Sequence, residues 1–181
     1  DVPGATMFEK MQHLWQHADE LRQLTLREPR GYPALCSNVI LPPTRPEADA
    51  GFVIMEQVEY PGMSGSNTIC VVTVLLETGM VPMVEPVTTF TMEAPAGLIE
   101  VRAECRDGKV TSVTFRNVPA FAVELDRPVE VPTLGTVKVD VAYGGMFYAI
   151  TDATQFGLRL TPDEGADITR ITEIVKVAGG L

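Results

Sequence analysis

The sequence predicts an α+β fold, on three observations. Apolar residues recur at three- and four-residue spacing over 6–26. They switch to strict alternation within 84–117. Between the two lies Ile69–Met80, a segment apolar almost all round. The 181 residues allow one domain, or one and part of a second. A composition that is 45% hydrophobic and 21% charged excludes wholesale disorder. Fourteen basic residues against 24 acidic ones, with no basic cluster, predict no nucleic-acid partner. No apolar run approaches the length of a membrane span, so no membrane partner is expected. Cys36, Cys70 and Cys105 form no CxxC pair and predict no disulfide framework. No signal peptide is visible, which points to the cytoplasm. The start at Asp1 and the stop after Ala178-Gly179-Gly180-Leu181 predict a fragment.

Residues 6–26 read as one amphipathic helix, with Met7, Phe8, Met11, Leu14, Trp15, Ala18 and Leu21 toward the core. Thr6 and Glu9 form a capping box ahead of it. His13 and His17 lie four apart on its polar face. That spacing can hold a metal, but no third ligand accompanies them, so solvated surface is the reading and no metal site is expected. Leu35–Leu41 and Phe52–Val58 read as strands around a loop at Pro42-Pro43-Thr44-Arg45-Pro46. The β-branched content of Ile69–Met80 favours a strand. Its length and a Gly79 placed to end a helix favour a helix buried in the middle of a domain, which is the reading adopted. The alternation of Ile99, Val101, Ala103 and Cys105 with Glu100, Arg102, Glu104 and Arg106 predicts a half-buried strand, and Asp107-Gly108 a hairpin turn. Pro119, Pro128 and Pro132 mark a boundary near 118–134. Strands at Thr136–Ala142 and Met146–Thr151 and a helix at Asp163–Val177 follow.

The segment Gly62–Thr68 carries the most chemistry. It is small, polar and flexible, and it opens the apolar helix. The free N–H groups and positive dipole end of a helix start suit an anion such as a carboxylate. It is not a Walker A loop, and its Gly62-Met63-Ser64-Gly65 spacing is not a nucleophile elbow. The plainer reading is that Ser64 and Ser66 only cap the helix. Cys70, Cys36 and Cys105 read as core. Tyr143, Phe147 and Tyr148 read as core before pocket, and Arg30 and Asp152 as loop or interdomain salt-bridge residues.

Met63-Ser64-Gly65-Ser66-Asn67-Thr68-Ile69 resembles the Met-Cys-Gly-His-x-x-Ile motif of the proline racemase family. Pro3-Gly4-Ala5-Thr6-Met7 is similar to that family's IPG-x-TM stretch, and Arg27-Glu28-Pro29-Arg30-Gly31 to its EPRG stretch. Leu41-Pro42-Pro43 with Pro46-Glu47-Ala48-Asp49 resembles its PP…PEAD loop. Glu77-Thr78-Gly79 follows the central helix as in the family. Ala142-Tyr143-Gly144-Gly145-Met146-Phe147-Tyr148-Ala149-Ile150, with Asp152, resembles its AYGG-x-FYA-x-V-D signature.

The resemblance implies a diaminopimelate-epimerase-like fold, with sheet wrapped around a central helix in each of two similar domains. Residues 1–125 would be the first domain, lacking its N-terminal strands, and 126–181 the start of the second. It also implies a racemase or epimerase that works at Cα of proline or hydroxyproline by two-base proton transfer, with no cofactor and no metal. The partner would be a small imino acid, and the assembly a homodimer. Ser64 then stands at the first catalytic position, where the family has Cys. Gly65 and Ser66 stand at the substrate carboxylate, and Ser66 replaces a His that meets the ring nitrogen. The second catalytic residue lies outside the chain. A hydroxyl is a far weaker acid than a thiol, and a helix terminus moves a pKa by only about one unit. That difference leaves two other readings open, a trans-3-hydroxy-L-proline dehydratase and a non-catalytic or divergent binder of small carboxylates.

Overall fold

The structure is a computed structural model and describes residues Asp1–Gly180. The chain divides into two compact units, Asp1–Pro119 and Ala120–Leu181.

In the first unit the region 6–26 forms two helices, α1 (Met7–His17) and α2 (Glu20–Leu26), instead of one. The ladder stops at Ala18, whose N–H still reaches the Leu14 carbonyl but whose ψ has left the helical range. Asp19 begins the next segment, because its carboxylate is committed to Arg22. Phe8 and Trp15 lie on the outer face of α1, opposite Met7, Met11 and Leu14, and Leu21 is exposed on α2, so these three are not core. The predicted capping box is present, with Glu9 N–H donating to Thr6 and Glu9 reaching back to the Thr6 N–H.

Strands β1 (Ser37–Leu41) and β2 (Ala50–Met55) pair antiparallel. Strands β3 (Val87–Ala94), β4 (Gly97–Arg106) and β5 (Lys109–Arg116) form the antiparallel meander that alternation predicts. Gly108 sits at φ +72°, a left-handed turn position that glycine reaches without strain. A short parallel contact between β2 and β3 joins the two parts into one sheet of order β1-β2-β3-β4-β5. Strand β2 is buried at every position because both of its faces are covered. Val53 and Met55 meet Met7, Met11 and Leu14 of α1, while Phe52 and Ile54 meet the central helix.

That helix, α3 (Gly65–Glu77), starts four residues before the predicted Ile69, and Gly79 ends it at φ +76°. Its face of Asn67, Thr68, Val71, Val72, Leu75 and Leu76 packs on the sheet with Met92, Ile99, Val101, Ala103 and Cys105. Burying side chains of this size stabilises the unit by about 1.5–3 kcal/mol each. The expectation of burial on every side is not met. Ile69 is 41% exposed and Val74 45%, and Cys70 shares that outer stripe, because the five strands cover only the opposite face. Cys70 and Cys36 are therefore exposed rather than core, and only Cys105 is buried as expected.

In the second unit, β6 (Phe121–Val131), β7 (Gly135–Tyr143) and β8 (Phe147–Ile150) form an antiparallel sheet. Strand β6 occupies most of the region where the prolines predict a boundary; Pro128 lies within it, opposite Lys138, beside register shifts. Helix α4 (Gly165–Gly179) lays Ile171 and Val175 on Val129, Val131, Val137 and Val139. Phe147 and Tyr148 are exposed rather than core. Tyr143 stacks against Phe121 at 5.2 Å between ring centroids. Asp152 makes no salt bridge among the described residues. It caps a short 3-10 turn by accepting from the Thr154 N–H.

Candidate functional site

Ser64 is the N-cap residue of α3, with extended backbone (φ −144°, ψ 128°). Its carbonyl accepts the first helical bond, from Thr68 N at 2.9 Å, and the Thr68 hydroxyl reinforces it at 2.8 Å. The amides of Gly65, Ser66 and Asn67 precede that bond and have no acceptor within the helix. The Ser64 hydroxyl does not cap any of them, so the plain capping reading fails for its side chain. Instead, Ser64 Oγ accepts from Asn67 Nδ2 at 3.0 Å, and it lies 3.4 Å from Ser66 Oγ. Ser64 is half-buried and Ser66 exposed.

Two anchors hold this helix start. Gly65 lies against the Phe115 ring of β5, and a Cβ there would sit 3.0 Å from its Cζ, so any larger residue would need the ring or the helix start to give by a few tenths of an ångström. At the other end of α3, Glu77 accepts from Lys109 Nζ at 2.6 Å and from the Val110 N–H at 3.0 Å. These bonds, the lysine's first, hold the Glu77 carboxyl below its ordinary range.

The loop that leads into Ser64 is latched from the first helical layer. Asp19 accepts a forked pair from Arg22 at 2.7 and 2.8 Å, and further bonds from Gln23 and the Tyr60 hydroxyl. The Arg22 bond, above all, holds the Asp19 carboxyl well below the usual carboxylate range. Arg22 also donates to the backbone carbonyls of Glu56 and Gln57. Burial, with the bond to Asp19, pushes Tyr60 up to about 12.

Asn67 and Asn38 are residues that motif reading missed. Asn67 is 6% exposed, and its Oδ1 accepts from Asn38 Nδ2 at 2.8 Å. A Ser-x-x-Asn spacing at a helix start, close to a capping box, is the signal that could have found Asn67. Nothing local marks Asn38. Cys36, just ahead of β1, completes the group. Burial raises its thiol, the Asn67 amide lowers it through a hydrogen bond, and its Sγ lies 3.8 Å from Glu56 Oε1. The histidines expected on the surface lie there with ring centroids 5.1 Å apart, and no cluster among the described residues is suited to a metal. No helix among the described residues is long and apolar enough to cross a membrane. A wider hollow of about 600 Å³ lies elsewhere, over β3–β5 between Thr89, Glu100, Arg102 and Arg116.

A small helix-start ledge beside a curled sheet is a geometry that known proteins share. The sequence profile of the family described as "Proline racemase" matches residues 1–179. The chain belongs to the proline racemase family. A hydroxyproline epimerase from Agrobacterium vitis, solved with bound trans-4-hydroxy-L-proline, is 42% identical at TM-score 0.85, over 91% of this chain and 48% of that one. A probable proline racemase from Agrobacterium radiobacter K84, solved with bound carbonate, is 41% identical at TM-score 0.88, over 94% of this chain and 51% of that one. A methylitaconate-delta-isomerase shares the fold at 18% identity and TM-score 0.53, over 87% of this chain and 53% of that one. The chain thus spans about half the length of the family structures it matches. Its sheet curled around a central helix is diaminopimelate-epimerase-like, as the motifs predict.

Proposed function

We propose that residues 1–181 supply one half of the active site of a racemase or epimerase acting at Cα of proline or hydroxyproline. The observation that carries this reading is Ser64. It stands half-exposed at the start of α3, beside three amides that have no helical acceptor. The substrate carboxylate docks on the amides of Gly65 and Ser66. There the helix dipole and the N–H groups stabilise the charge that moves into the carboxylate as Cα loses its proton. Ser64 exchanges a proton with one face of Cα. A group from outside these residues serves the other face, so inversion needs neither cofactor nor metal. The imino acids bound or named in the two Agrobacterium structures belong to those proteins and motivate the substrate class.

The test is to incubate the full-length polypeptide in D₂O with L-proline, trans-4-hydroxy-L-proline and trans-3-hydroxy-L-proline, and to follow Cα by proton NMR. Loss of the Cα signal with appearance of the other stereoisomer supports the reading. A pyrroline formed from the 3-hydroxy substrate would replace it with the dehydratase. Ligand-induced thermal stabilisation without any exchange would replace it with a carboxylate-binding protein.

A further inference from the structure

Beside Ser64 lies a buried amide that helix formation does not require. Asn67 sits one turn along α3, and a helix interior gains nothing from asparagine by propensity. Its side chain is nonetheless 6% exposed and bonded on both sides. Oδ1 takes the Asn38 Nδ2–H at 2.8 Å, and Nδ2 gives a hydrogen to Ser64 Oγ at 3.0 Å.

We propose that Asn67 is a positioning residue for Ser64. By donating to Ser64 Oγ, its amide keeps the hydroxyl hydrogen off Asn67 and leaves it for an acceptor on the outer side, Ser66 Oγ at 3.4 Å or a bound substrate, and Asn38 locks the amide in that orientation. This deepens the reading of Ser64 as a proton-transferring group and rests on it.

Direction is the point of the relay. If the Asn67 amide were turned over, its oxygen would take the Ser64 hydroxyl hydrogen, and no proton would face a substrate. One neighbour opposes that state. Asn38 donates its Nδ2–H to Asn67 Oδ1 at 2.8 Å, so turning over the Asn67 amide alone would set donor against donor; the Asn38 Oδ1 itself is buried without a hydrogen-bond partner. The amide thus uses its oxygen on Asn38 and its nitrogen on Ser64. A hydroxyl that accepts a hydrogen bond becomes a better donor, and its conjugate base is stabilised by the same N–H. Both effects help Ser64, whose weakness as an acid is the chemical problem of this site. The ionisable groups that share the pocket are Cys36 at the head of β1, Glu56 after β2 and Cys70 on α3, and none of them replaces the Asn67 donor at Ser64.

The test uses a thiol as a reporter in the full-length polypeptide. Ser64→Cys places a titratable sulfur where Oγ stands, and its iodoacetamide alkylation is followed against pH by fragment-resolved mass spectrometry. Adding Asn67→Ala is expected to raise the apparent pKa of that thiol by about one unit, and so to slow alkylation at pH 7 about tenfold. Asn38→Ala, which frees the amide to turn, is expected to shift it in the same direction by less. If Asn67→Ala fails to fold, the Asn38→Ala shift decides. In otherwise unmodified protein, Asn67→Ala is expected to lower kcat while KM for the imino acid stays within about threefold. A thiol titration unmoved by both substitutions overturns the proposal. A titration that moves while Ser64→Ala leaves turnover intact overturns instead the catalytic reading of Ser64, with the relay standing.

Discussion

Replacing Asp19 by Ala removes the carboxylate that holds Arg22, Gln23 and Tyr60 together. Arg22 is 5% exposed, so its guanidinium would be left buried without a counter-charge. Removing one partner of a buried pair costs about 3–5 kcal/mol. Arg22 keeps the Glu56 and Gln57 carbonyls, and the Asp19 side chain is itself 23% exposed, which places the loss near the lower end, about 3 kcal/mol. For a chain of this size that lowers Tm by about 6–12 °C. The assay is urea unfolding followed by Trp15 fluorescence. Trp15 is the single tryptophan, and its ring stacks on Tyr60 with centroids 6.0 Å apart. The pH dependence has a definite sign. The folded-state pKa of Asp19 is depressed, so its contribution is complete above the unfolded value of about 3.9 and disappears as pH falls through the lower folded value. The difference between the unmodified protein and Asp19→Ala should therefore be constant above about pH 5 and shrink below about pH 4. A loss under about 1 kcal/mol at pH 7, or a difference that does not shrink in acid, would refute the latch.

Other substitutions probe the helix that carries the site. Ser64→Ala should lower imino-acid turnover by about 10²–10⁴-fold, as expected for loss of a general acid or base, while Ser64→Cys should raise it; both are read by the same NMR exchange assay. Leu75→Ala, at a position 1% exposed against the sheet, should lower stability by about 2–5 kcal/mol in a denaturant titration. Gly65→Ala should reduce substrate affinity, because the new methyl would push α3 off Phe115; isothermal titration with the imino acid reads it, and unchanged affinity would remove the close-approach argument. Glu77→Ala should speed amide exchange at Val110, detected by hydrogen–deuterium exchange, because it deletes that amide's acceptor.

Most of the fold is legible because hydrophobic periodicity reports how many faces of an element are covered. Strand β4 alternates since one face is wet, and strand β2 does not since α1 and α3 cover both. The same logic misled at α3. An all-round apolar pattern predicts burial on all sides, whereas Ile69, Cys70 and Val74 lie bare, so the pattern encodes a cover that the described residues do not supply. The helix over 6–26 broke for a reason that periodicity cannot carry. Asp19 pairs locally with Arg22, but the Tyr60 hydroxyl and the Glu56 carbonyl that fix the pair reach it only once the loop at 56–60 has closed.

The candidate site shows the same division between local and non-local information. The helix start at Ser64, Gly65 and Ser66 is legible by motif, since it advertises itself through small polar residues within one turn. The Asn67–Asn38 contact joins residues 29 apart in sequence, and neither asparagine looks unusual by itself. What decides the chemistry at Ser64 is whether its proton points into the protein or out of it. That direction is set by the orientation of one amide, and the amide is oriented by a strand paired elsewhere in the sheet. A hydroxyl is a weak acid, and the proposed relay offsets that weakness only while its hydrogen faces outward. The outcome depends on how firmly β1 holds Asn38 against α3, and for that reason substitutions at Asn38, with no contact to a substrate, are expected to change proton transfer.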